Sequence, residues 1–146
     1  MTTILQKDGE ILENKISSIS DFFQLMKPRV MSLVIFTALI GYFCGVFSTE
    51  TILNPYLSMI GILAIALGAG SSGVLNQWYD REVDSMMERT KNRPIPKGKI
   101  EPSDALAFGL IGSILSIVIL GLCINWLAGF LLFFTIIFYA VFYTIF

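Results

Sequence analysis

Asn76, Asp80 and Asp84 are the residues whose types and spacing best suit chemistry, falling at i, i+4 and i+8. On a helix, positions four apart drift by about 40° and lie about 6 Å apart, so all three share one face. An amide and two carboxylates in a row are hard oxygen ligands. Mg²⁺ commonly takes one or two carboxylates and completes its shell with waters and substrate phosphates. The row therefore suits Mg²⁺ held against a diphosphate without an all-protein cage. A solvated acidic helix end, with Asp84 and Glu88 paired to Arg81 or Lys91, would have the same spacing. Position argues for the site: Asn76 and Asp80 follow an uninterrupted apolar run, where polar and ionisable groups are costly and point to function.

Arg89-Thr90-Lys91-Asn92-Arg93-Pro94-Ile95-Pro96 comes next. Each proline disfavours helix at the residue before it, so Arg93 and Ile95 are expected to be extended. If the strand-like geometry begins at residue 89, Arg89, Lys91 and Arg93 project to one side as a cationic comb. Carboxylates that hold Mg²⁺ beside cations that hold phosphate oxygens make a diphosphate site. A basic loop that only fixes membrane topology explains the number of charges but not their alternation. Lys27-Pro28-Arg29 either adds two more diphosphate-binding cations, Lys27 and Arg29, or is a juxtamembrane anchor. The chain has no histidine, which removes histidine general bases, His-rich zinc sites and bis-histidine haem ligation. Its two cysteines cannot define a disulfide framework.

The elements that must carry these residues are hydrophobic. Of 146 residues, 55% are hydrophobic and 14% charged, against about 25% charged in an average soluble domain. That excludes an ordinary soluble domain and a disordered chain. Four runs lack charge: Val30 to Ser48, Leu57 to about Tyr79, Ala105 to about Ile124, and Trp126 to Phe146. Each is long enough, at about 1.5 Å per residue, to cross a hydrocarbon core of about 30 Å. The expected fold is an all-α membrane protein with four transmembrane helices (30–48, 57–79, 105–124, 126–146). A cytoplasmic tail, 1–29, precedes them, and a cytoplasmic loop, 80–104, joins the second and third. The first run is too long and too far from the N-terminus for a signal peptide, and the acidic residues of the tail do not suit an organelle transit peptide. Together these favour a bacterial inner membrane.

The tail holds Lys7, Lys15, Lys27 and Arg29; the 80–104 segment holds Arg81, Arg89, Lys91, Arg93, Lys97 and Lys99. These are all the bases in the chain, and the connections near 49–56 and Asn125 carry only Glu50. The positive-inside rule places the N-terminus, the 80–104 loop and the end of the fourth run in the cytoplasm. Ile19, Phe22, Phe23 and Met26 recur at i, i+3, i+4 and i+7, which predicts a short amphipathic helix on the membrane surface. Gly68, Ala69, Gly70, Ser71, Ser72 and Gly73 make one end of the second span slim, as close helix packing in lipid requires.

Asn76-x-x-x-Asp80-x-x-x-Asp84, followed by Met87-x-Arg89-Thr90-x-x-Arg93-Pro94, resembles the first aspartate-rich motif of the intramembrane (UbiA-type) prenyltransferases. Lys27-Pro28-Arg29-Val30, Trp78, Met87, Gly98-x-Ile100 and Ala105-Leu106 resemble the branch that farnesylates protoheme IX, the heme O synthases. From about residue 22 onward the chain is similar to the N-terminal part of that branch. Glu101 departs from the Ser or Thr expected before Pro102, a change that weakens only a helix cap.

The resemblance implies roughly nine transmembrane helices around a central cavity. It implies farnesyl diphosphate as donor, protoheme IX (heme B) as acceptor and Mg²⁺ as cofactor, in a lipid bilayer and with no nucleic-acid partner. By position, Asn76, Asp80 and Asp84 would hold Mg²⁺–diphosphate, with Asp80 and Asp84 central to catalysis, and Arg89 and Arg93 would orient or neutralise the diphosphate. The allylic cation would be shielded from water and attacked by an electron-rich vinyl group. Members of the family are roughly twice this length, so the chain is expected to supply one cavity wall and to need more for turnover. Two other readings share these residues: a prenyltransferase acting on a quinone precursor or other aromatic acceptor, and a non-enzymatic four-helix membrane protein binding Mg²⁺ or lipid headgroups.

Overall fold

The computed structural model describes residues 18–49 and 54–145; the tail bases Lys7 and Lys15, and Glu50, lie outside them. It is all-α. Helix α1 is Ile19–Leu25, α2 Pro28–Thr49, α3 Pro55–Tyr79, α4 Arg81–Met86, α5 Pro102–Cys123 and α6 Trp126–Ile145.

Every helix start but that of α4 has a local chemical cause. At α1, the Asp21 carboxylate accepts the Ser18 N–H at 3.2 Å and the Ser18 hydroxyl accepts the Ser20 N–H at 3.4 Å, a capping box. Helices α2, α3 and α5 open with Pro28, Pro55 and Pro102, at the position where a missing N–H costs nothing. Asn54 caps α3 by accepting the Tyr56 N–H at 3.0 Å, and Asn125 caps α6 by accepting the Ala128 N–H at 2.7 Å. Glu101 makes no side-chain cap at α5, as its departure from Ser or Thr implied.

Among the described residues, three helices are long and apolar enough to cross a membrane: Pro28–Ser48, Pro55–Tyr79 and Pro102–Cys123. A shorter apolar stretch runs over Trp126–Val141, so the chain is a multi-pass membrane protein with three candidate spans and one further apolar helix. Helix α3 is the hub, packed against α5 most extensively and against α2, α6 and α1 as well. Half of its most apolar window is buried, whereas none of α2's is.

Small residues hold α3 and α5 together. A Cβ added to Gly112 would collide with the Ser71 side chain, and one added to Gly109 would lie 2.8 Å from Leu75 Cδ2. Three buried serines are satisfied within their own helices: Ser72 donates to the Ala69 carbonyl at 2.8 Å, Ser113 to the Gly109 carbonyl at 2.7 Å and Ser116 to the Ser113 carbonyl at 2.8 Å, while the buried Ser71 hydroxyl has no hydrogen-bond partner among the described residues. An apolar cluster lies on either side of this seam. Ala64, Leu120, Leu132 and Ile136 form one. Leu25, Val74, Ile95, Ile100 and Ala105 form the other, where α1 and the 87–101 loop meet the ends of α3 and α5.

The amphipathic stripe expected of α1 is only partly its buried face. Phe22 and Met26 pack on the second cluster, and the Phe22 ring lies 5.1 Å from that of Phe108. Ile19 and Phe23 stay exposed, while Asp21 and Leu25 are buried. The reason is docking: α1 rests against the bundle, and Asp21 accepts a bond from Lys99 at 3.1 Å.

Candidate functional site

The site gathers at the end of α3 that meets α1 and the 87–101 loop. Helix α3 stops at Tyr79 and α4 begins at Arg81, yet the i→i−4 bonding carries through the junction. Asp80 N–H donates to the Asn76 carbonyl at 3.0 Å, and Asp84 N–H to the Asp80 carbonyl at 2.8 Å. The register of Asn76, Asp80 and Asp84 therefore survives a change of helix. Asn76 Nδ2 donates to Asp80 Oδ2 at 2.9 Å. Asn76 and Asp84 are buried, at 3% and 5% exposure, and Asp80 is half-buried.

Two cations from distant parts of the chain meet this row. Lys27 Nζ donates to Asn76 Oδ1 at 2.9 Å. Arg93 Nη1 donates to Asp84 Oδ2 at 2.5 Å. Lys27, Asn76, Asp80, Asp84 and Arg93 thus form one alternating constellation. Burial pushes the Asp80 carboxyl above the usual carboxylate range, and the Asp84 charge adds to the rise; Asn76, Lys27 and Arg93 oppose it. Burial, followed by the Arg93 charge, lowers the Lys27 ammonium below the usual lysine range, against the pull of Asp84 and Asp80.

The comb expected of residues 89–93 does not form. The chain instead turns tightly: Thr90 N–H and Lys91 N–H both donate to the Met87 carbonyl, at 3.1 and 2.9 Å, and Arg93 N–H to the Thr90 carbonyl at 2.9 Å. The cause is Thr90, a buried residue whose hydroxyl donates to the Asp84 carbonyl at 3.0 Å. That bond folds the loop back over α4 and separates the cations. Arg93 turns inward to Asp84, while Lys91 pairs with Glu88 at 2.7 Å on the exposed side. Arg89 and Arg29 are exposed. Of the expected cations, the structure brings Lys27 and Arg93 to the carboxylates and leaves Arg89, Lys91 and Arg29 at the surface.

Thr90 and Gln77 matter here although sequence reasoning gave neither a role. Gln77 is buried and its Nε2 donates to the Leu25 carbonyl at 2.6 Å. Its signal was present: an uncompensated amide one residue off the acidic face, at the end of an apolar helix, needs a partner. Thr90 sits between two cations, and its signal was its place in the motif Met87-x-Arg89-Thr90-x-x-Arg93-Pro94, which gave it no role of its own.

Among the described residues, no three His, Cys, Asp or Glu side chains converge as a metal cage. The donor set is two carboxylates and an amide. This fits Mg²⁺, which accepts few protein ligands when phosphates and waters supply the rest. It does not fit zinc, which favours His and Cys. The mutual repulsion of Asp80 and Asp84 is what a divalent cation between them would relieve.

One end of this bundle thus brings two carboxylates and an amide together with two cations, a donor set that suits a divalent cation and an anion side by side. The chain belongs to the UbiA prenyltransferase family, which it matches over residues 34–146. Its relatives narrow the comparison. It is 55% identical over 133 residues to a protoheme IX farnesyltransferase of Rhizobium johnstonii, covering 91% of this chain and 40% of the relative. It is 52% identical over 129 residues to that of Bartonella tribocorum, covering 88% and 40%. A protein described as protoheme IX farnesyltransferase 2, from Mesorhizobium japonicum, is 54% identical over 116 residues, covering 80% and 36%. The chain spans about 40% of the length of the curated relatives it matches most fully. No solved structure matches it at significance.

Proposed function

We propose that this chain forms the diphosphate-binding part of a protoheme IX farnesyltransferase, which moves a farnesyl group from farnesyl diphosphate to a vinyl group of heme B to make heme O. The observation that carries the reading is the convergence of Lys27, Asn76, Asp80, Asp84 and Arg93 from three separate segments. Relatives above 50% identity bear that activity in their names.

In this reading Asp80, Asp84 and Asn76 hold Mg²⁺, which when bound neutralises the departing diphosphate. Arg93 spends one N–H on Asp84 and keeps four for diphosphate oxygens. Lys27 presents its ammonium at the Asn76 end of the row, and Arg93 its guanidinium at the Asp84 end. Arg89, Lys91 and Arg29 form an outer cationic rim that draws the anionic substrate in. The apolar wall of α3 and α5 keeps water from the allylic cation until the vinyl carbon attacks it. Residues 1–29 are the cytoplasmic tail, 80–104 the cytoplasmic loop, and 30–146 the first part of a bundle of about nine helices, with α6 as its fourth span. The setting is a bacterial inner membrane.

The test is Mg²⁺-dependent binding of farnesyl diphosphate to the full-length protein in detergent. We expect binding with Mg²⁺, loss on adding EDTA, and loss of at least tenfold in affinity for Asp84→Ala, since that change removes a Mg²⁺ ligand and the acceptor that orients Arg93. Binding unaffected by EDTA and by Asp84→Ala would refute the site.

A further inference from the structure

Lys27 reaches Asn76 only because the chain makes a sharp elbow between α1 and α2. Lys27 has φ 51°, the one described non-glycine residue in the left-handed region. Such a conformation is strained for a residue with a Cβ and persists only where its surroundings enforce it. Its carbonyl accepts the N–H groups of Val30 and Met31, at 2.9 and 3.1 Å, to start α2. On the other side the elbow is held by α3. Gln77 Nε2 donates to the Leu25 carbonyl at 2.6 Å in a buried bond between residues 52 apart in sequence. Gly70 leaves room for Met26, whose side chain a Cβ there would strike, and a Cβ on Gly73 would lie 3.8 Å from the Met26 carbonyl.

Gln77 is adjacent to Asn76, so one turn of α3 fixes both ends of the arrangement: Asn76 receives the Lys27 ammonium and Gln77 anchors the backbone two residues before it. We propose that Gln77 is a positioning residue, which holds the Leu25–Lys27 elbow against α3 and so aims the Lys27 ammonium at the diphosphate. It touches neither metal nor substrate. The proposal rests on the diphosphate reading above.

Steady-state kinetics of the full-length enzyme test it, with farnesyl diphosphate and heme B varied separately. Gln77→Leu keeps the volume and removes the donor. We expect its KM for farnesyl diphosphate to rise about fivefold, the scale of one hydrogen bond, with KM for heme B unchanged. Lys27→Met should raise the same KM, and the double variant Gln77→Leu/Lys27→Met should be no worse than Lys27→Met alone, because both act through one ammonium. Should Gln77→Leu fail to accumulate, Gly70→Ala, which presses the elbow through Met26, carries the same expectation alone and combined with Lys27→Met. Losses that add in the double variant, or a farnesyl diphosphate KM unchanged in the single one, would overturn the proposal while wild-type turnover and its loss in Asp84→Ala leave the diphosphate reading standing. A wild-type enzyme that does not use farnesyl diphosphate would overturn both.

Discussion

Burial and the neighbouring Asp84 raise the pKa of Asp80, and Asn76, Lys27 and Arg93 offset only part of that rise. The folded value lies above the unfolded one, so the stability this group contributes is present at low pH and lost as pH rises through the folded value. At neutral pH an ionised Asp80 therefore works against the fold unless a cation is bound. Asp80→Asn should raise the unfolding temperature in Mg²⁺-free detergent at pH 7, narrow that gain near pH 4, and abolish prenyl transfer. Thermal unfolding at the two pH values and a turnover assay check this. An Asp80→Asn protein less stable than wild type at pH 7 without Mg²⁺ would count against this account of burial and like charge.

At the scale of elements, the seam between α3 and α5 decides whether the row and the loop stay in register. Gly112→Val would drive a branched side chain into Ser71, and overpacking of this kind costs about 1–3 kcal/mol. We expect a lower unfolding temperature for Gly112→Val. Gly98, which has φ 70° and open space around it, should instead tolerate Asn better than Val, because Asn accepts the left-handed region. Melting curves of the three variants distinguish seam from turn. These elements show what the sequence made legible. Helix positions followed from uninterrupted apolar runs, although three helices begin two or three residues earlier, at Pro28, Pro55 and Pro102, and the small residues of α3 pointed to close packing, which the contacts with Met26 and Ser71 bear out. The comb was misjudged because local proline preferences act over single residues, whereas the Thr90 hydroxyl and the Asp84 carbonyl, six residues apart, fix the loop. The Lys27–Asn76 bond spans 49 residues, and no local pattern could have shown it.

On the scale of the whole molecule, every lysine and arginine lies in the first 29 residues or in the 80–104 segment. The positive-inside rule then predicts one orientation for the bundle, with both basic segments in the cytoplasm. A reporter active only in the cytoplasm should be active when fused at Gly98 and silent when fused at Asn125; the opposite pattern would invert the topology. Under the proposed function, this orientation would leave the carboxylate row open to Mg²⁺ and the diphosphate head from the cytoplasm, while the farnesyl chain and heme B would come from the lipid side. The most direct measurement is heme O formed by membranes containing the full-length protein, supplied with heme B, farnesyl diphosphate and Mg²⁺, compared with Asp84→Ala. The account predicts heme O from wild type, none with EDTA, and a loss of at least a hundredfold for Asp84→Ala, as removal of transition-state charge stabilisation commonly gives. Heme O formed undiminished by Asp84→Ala, or a prenylated quinone precursor made in place of heme O when both acceptors are supplied, would contradict it.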